Sequence, residues 1–149
     1  MKKLSVLLAG LLISAPLALL AHEHHAPHKG SLQVCGEEFF HYELVLDAGT
    51  GTLTVYVLDG EAEHPVRVKQ KQLVFKLKAR GAKGAPVKVV AKAVADELTG
   101  ETVGDTSEFQ AVVPALRGVT AFDGVLLLGE VKGQTFKNLK IKHPEGNEN

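Results

Sequence analysis

Tryptophan is absent from the 149-residue chain, cysteine occurs once, and the only methionine is Met1. A single cysteine, Cys35, excludes an internal disulfide. Without tryptophan and a cysteine pair, the antibody-type core is excluded as well. Catalytic signatures are equally scarce. There is no Gly-x-Ser-x-Gly elbow, no P-loop, no His-Glu-x-x-His and no dinucleotide fingerprint. The 17 carboxylates are scattered without a spacing that marks an acid–base pair. Cys35 and His41 are six residues apart, but Gly36 places a turn between them, which weakens a thiol–imidazole pair. The chain therefore reads as a non-enzyme.

Long hydrophobic runs are also missing, with one exception. Lys2 and Lys3 precede an apolar stretch, Leu4 to Ala21, broken by Pro16. The order matches a secretory signal peptide over 1–21 with cleavage after Ala21, rather than a permanent membrane span. Removing it leaves 15 basic and 17 acidic residues, a formal charge of −2. That net balance gives no electrostatic case for nucleic acid or an anionic membrane surface. The remaining length suits one domain with a real core. An exported protein with one thiol poses a question about Cys35. It reads as a small buried hydrophobe on a strand, against the alternatives of a soft metal ligand or an intermolecular disulfide.

What the chain has in quantity is period-two alternation. In 38–60, Phe40, Tyr42, Leu44 and Leu46 alternate with His41, Glu43, Val45 and Asp47, and after "DAGTG" Leu53, Val55 and Val57 resume the pattern. This predicts a β-hairpin. Further strands are predicted over 72–79, 107–114, 120–131 and 134–142, the last two joined by Lys132-Gly133. Residues 87–95 alternate but are alanine-rich, so strand and short helix both remain open there. The expected fold is all-β, a single antiparallel sandwich of about seven to nine strands with Ig-like layering, over 31–142. Residues 22–30 read as a flexible His-rich tail, and 143–149 as a disordered end.

That tail holds four of the seven histidines, in "HEHHAPH". A short His-rich tract is a compositional signal for transition metals. His22, His24, His25 and His28 are the candidate ligands. Cleavage after Ala21 would give His22 a free amine and put His24 at position three. An amine, two backbone amides and that imidazole suit square-planar Cu(II) or Ni(II), and Zn(II) is a further candidate. Alternatively, the amine and ring of His22 form a copper brace. The competing reading is a solvated, functionally silent linker. His41 reads as a surface or rim histidine, and His64, near Glu61 and Glu63, as part of a solvated loop. His143 has no assigned role.

The stretch 25–66, with His-Ala-Pro-His before a Gly turn, "YELV", a Gly hairpin, "LTVYVLD" and Pro65-Val66, resembles a small exported domain associated with heavy-metal efflux systems of Gram-negative bacteria. It is also similar to the His-rich leader domain on some periplasmic adaptor subunits of tripartite metal exporters. The resemblance implies periplasmic metal buffering or handover to an efflux adaptor. On residues, it carries over His24, His25 and His28. Lys29 stands where a second glycine is often seen, and Cys35 lies outside the pattern. A second reading, of a different class, is a structural or assembly module whose edge strands pair with another protein.

Overall fold

A computed structural model describes residues 24–147. The expected signal peptide over 1–21, His22, Glu23 and the last two residues lie outside the described residues. Eight antiparallel strands form one sheet: β1 (Ser31–Cys35), β2 (Phe40–Asp47), β3 (Thr52–Leu58), β4 (Gln72–Ala79), β5 (Val87–Ala93), β6 (Glu108–Val112), β7 (Phe122–Val131) and β8 (Gln134–His143). The order across the sheet is β1-β2-β3-β6-β5-β4-β7-β8. The all-β expectation holds, and the strand number falls in its range. Residues 87–93, left open between strand and helix, are a strand whose Val89 and Ala91 face the core. The layers belong to one continuous sheet that curls until its first and last strands meet, nearly a barrel. It opens at one place, because β5 and β6 pair only through Lys92–Gln110 and Ala93–Phe109.

Local chemistry sets the turns. In the β2–β3 hairpin the Asp47 carboxylate accepts from the Gly49 amide and the Thr50 hydroxyl, both at 2.8 Å. Between β7 and β8, Lys132 and Gly133 have φ of 49° and 78°. Two consecutive positive values make the tight hairpin turn that matches strand twist. Inside the barrel Phe75, Phe109, Phe122 and Leu73 are fully buried. Each such side chain contributes about 1.5–3 kcal/mol of transfer free energy. Tyr42 also points inward, and its hydroxyl has no hydrogen-bond partner. Gly129 fits against it, since a Cβ there would stand 2.5 Å from the Tyr42 Oη.

The seam between β1 and β8 is closed by side chains. The buried Gln33 amide donates to the Lys142 carbonyl at 2.8 Å and accepts from the Lys142 amide at 3.0 Å. Asn147 treats Val34 the same way, accepting from its N–H at 2.7 Å and donating to its carbonyl at 3.1 Å. Each carboxamide stands in for one residue of a neighbouring strand. The segment 143–149 was expected to be disordered. Instead, among its described residues, His143 stacks on Phe122, Glu145 pairs with Arg80 and Asn147 seals β1. The edges that the assembly reading relied on are thus turned toward each other.

Cys35 is fully buried and its thiol donates to the Gln33 carbonyl. Burial pushes the thiol far above its ordinary pKa, with a hydrogen bond involving the Tyr42 backbone opposing. It is a packed neutral thiol, and acting as a soft ligand or a disulfide partner would require the barrel to open.

Two outcomes are expected. Gln33→Leu removes the acceptor of the half-buried Lys142 N–H, while the Lys142 carbonyl keeps the Gly146 N–H, and this lowers stability by about 1–3 kcal/mol. The urea midpoint should fall at unchanged m. Burial also holds His143 below the ordinary imidazole pKa, Glu145 opposing and Arg80 reinforcing. As pH falls, the unfolded chain takes up this proton before the folded one does. The contribution is complete above about pH 6.5 and is lost progressively below it. His143→Gln should flatten the decline of the urea midpoint on acidification.

Candidate functional site

Along β2 the alternation breaks down in a telling way. Phe40, Tyr42 and Leu44 face the core as expected, yet the outward His41 and Glu43 are also 0% exposed. A buried carboxylate and a buried imidazole on the outer face of a sheet need cover and partners. The cover is the segment 24–30 together with the loop 59–64. The expectation of a free tail is therefore replaced, for residues 24–30, by a strap lying on β2. His41, read as a surface or rim residue, is beneath it. The alternating pattern identified the inward face and could not show that the outer face would be roofed by chain from elsewhere.

Glu43 holds the strap. One carboxylate oxygen accepts from the backbone N–H groups of His28 and Gly30, each at 2.8 Å. The other accepts from the His28 ring nitrogen Nδ1 at 2.8 Å. The His28 ring stacks on Tyr56 with centroids 3.7 Å apart. Tyr56 lies opposite Glu43 in the β2–β3 register, which puts ring and carboxylate side by side. Gly30 is required at the close approach, because a Cβ there would be 2.5 Å from the Leu44 carbonyl oxygen.

At the other end of the strap, His24 meets His41. Their ring centroids are 4.9 Å apart, with the planes at 48°. His24 Nδ1 lies 3.1 Å from the Glu61 carbonyl oxygen, and His41 Nδ1 lies 3.0 Å from the Asp59 carbonyl oxygen. A carbonyl can only accept, so each Nδ1 carries the proton. In the neutral ring, Nε2 is then a bare lone pair on the side away from the 59–61 backbone. Both Nε2 atoms are buried and without a hydrogen-bond partner. The nearest charged group is Glu38, whose Oε1 is 3.8 Å from His24 Nε2 and whose side chain is 58% exposed.

The loop that orients both rings is itself knotted by Asp59. Its Oδ1 accepts from the Glu63 and His64 amides at 2.9 and 3.2 Å, and its Oδ2 lies 3.1 Å from His64 Nδ1. Desolvation works against its charge, but these hydrogen bonds and His64 outweigh it and hold the carboxyl below the ordinary range. His64 thus serves the loop, and it does not join Glu61 and Glu63 in a separate cluster.

Of the candidate ligands, then, His24 is directed at His41, His28 is bound to Glu43, His25 is exposed, and His22 lies outside the described residues. The three described histidines are not gathered around one point. Among the described residues no group of three or more His, Cys, Asp or Glu is arranged to hold a metal ion. The arrangement is a pair. Sequence reasoning missed His41 as the partner. The available signal was a histidine on a strand whose next outward residue, Glu43, is also ionisable. Compared with known proteins, the chain matches no family model, no curated protein and no solved structure.

Glu43→Ala is expected to free the strap. Two backbone N–H groups and an imidazole lose their acceptor, at a cost of about 1–3 kcal/mol. Amide hydrogen exchange at His28 and Gly30 should accelerate far more than at β4.

Proposed function

We propose that this is an exported, non-catalytic protein that binds a divalent transition metal with its His-rich N-terminal strap, for buffering in the periplasm or handover to an efflux adaptor. The observation carrying this reading is the pair of buried, bare Nε2 atoms of His24 and His41. An unpartnered buried ring nitrogen costs stability, and two on neighbouring rings cost it twice unless a ligand shares them. Each ring is fixed through Nδ1 to a backbone carbonyl, the outer partner that orients metal-binding histidines.

The spacing is informative about coordination. With metal–nitrogen bonds of about 2.0–2.1 Å, ring centroids stand about 4.5 Å apart at a 90° angle, about 5.2 Å at a tetrahedral angle and about 6.4 Å in a linear site. The observed 4.9 Å fits the first two. These are the angles of Cu(II) or Ni(II) and of Zn(II), respectively. Glu38 is the nearest third ligand, and its exposed side chain is free to swing the short distance needed. A mobile third ligand favours exchange and so handover.

This site competes with the amino-terminal copper motif. A chelate of His24 with its own backbone amide closes through Nδ1, the atom engaged by the Glu61 carbonyl. His24 serves one mode at a time.

Calorimetric titration with Cu(II), Ni(II) and Zn(II) distinguishes them. His41→Gln and His24→Gln should each weaken the tightest site at least tenfold, Glu38→Gln severalfold, and His25→Gln less than twofold. Unchanged affinity in folded His41→Gln, with loss on deletion of 22–28, would move the site to the free terminus.

A further inference from the structure

The near-zero net charge of the chain conceals a segregation. On the outer face of β5-β4-β7-β8 the cross-strand register sets Lys88 opposite Lys76, Lys76 opposite Val125, and Val125 opposite Lys140. The neighbouring row runs Lys78, Asp123, Lys142. Lys92 adds a sixth ammonium on the same face of β5. The intervening outward positions Val74 and Val90 are half-buried. Among the described residues the ion pairs use Arg67, Arg80 and histidines, and none uses a lysine. Arg80 is itself neutralised by Asp123 and Glu145.

Lysines on an outer face commonly solvate a sheet or protect an edge strand. That does not account for these. β4 is flanked by β5 and β7, so it is no edge, and Lys76 directly opposite Lys88 is a like-charge pair that opposes sheet formation. Of the carboxylates near this face, Asp123 and Glu145 are taken up by Arg80, whereas Glu38, Asp59, Glu61 and Glu63 belong to the segments that border the histidine pair. β2 and β4 are four strands apart in the eight-strand order, so the two poles face opposite ways.

We propose that this lysine face docks the protein on an anionic bilayer surface. Several features favour lipid phosphates over other polyanions. The charges are dispersed ammonium groups rather than guanidinium forks, which suits headgroups that need no bidentate recognition. The rows carry no aromatic ring on which a nucleic-acid base could stack. The valines between the lysines put short apolar side chains level with the lysine stems, as at a membrane interface. Docked in this way, the protein turns its histidine pair away from the bilayer. The proposal does not depend on the metal reading.

Co-sedimentation of the protein with vesicles tests it. Vesicles of equal parts phosphatidylglycerol and phosphatidylcholine should bind it, pure phosphatidylcholine should not, and added salt should release it. The triple variant Lys76→Glu, Lys88→Glu, Lys140→Glu should lose binding more than tenfold. A Lys→Gln version at the same positions, shown folded by circular dichroism, should lose it in part. The equally charged Lys29→Glu, Lys69→Glu, Lys132→Glu should change it less than twofold. Equal loss in both Lys→Glu triple variants, binding to pure phosphatidylcholine, or retention on polyglutamate without vesicle binding would each overturn the proposal, the last in favour of an acidic protein partner.

Discussion

The buried carboxylate of Glu43 is the contact on which the site depends. It lies on the outer face of a sheet, where water would ordinarily satisfy it. Instead it collects two backbone amides and an imidazole from a segment thirteen to fifteen residues earlier in the chain. A charged acceptor that satisfies several donors at once is worth more than separate neutral hydrogen bonds. The result is a strap with a fixed path. Its path brings His24 over His41, and the Asp59-knotted loop then fixes the orientation of both rings. Remove the anchor and the histidines return to being a polar tail.

The barrel beneath supplies what the strap needs. Hairpin pairing of β2 with β3 sets Glu43 beside Tyr56, so the anchor and the aromatic platform arrive together. Closure at the β1–β8 seam holds β1, through which the strap enters the sheet, against the end of the chain. Two carboxamides achieve that closure, with Ser31 Oγ and His143 Nδ1 at 2.9 Å adding a third link. The strand into which the strap runs is thus tied to residues more than 100 positions later in the chain. Such distant pairing is established only when the whole sheet forms.

Much of this was legible in the residues. Strict alternation located β2, β3 and β4, because a strand with one face in a core imposes a period of two on its side chains. Positive-φ turn chemistry at Lys132-Gly133 located the last hairpin. The alanine-rich stretch at β5 was ambiguous, because alanine fits a helix as readily as a buried strand, and pairing with β4 and β6 decided it. The histidine cluster was visible as composition. Its division into an inward His24, an anchored His28 and an exposed His25 was not, because polar residues before a domain look the same whether free or docked.

The sequence by itself determined that the chain is all-β, where most strands run, and which side chains form the core. These follow from local periodicity and turn preferences, which act over a few residues. Only the tertiary structure decided that His41 and Glu43 are buried, that His24 faces His41, that Gln33 and Asn147 close the barrel, and that lysines from three strands share one face. Each depends on register between segments tens of residues apart. Register is set by the joint packing of the whole sheet, and no single stretch of the chain contains it.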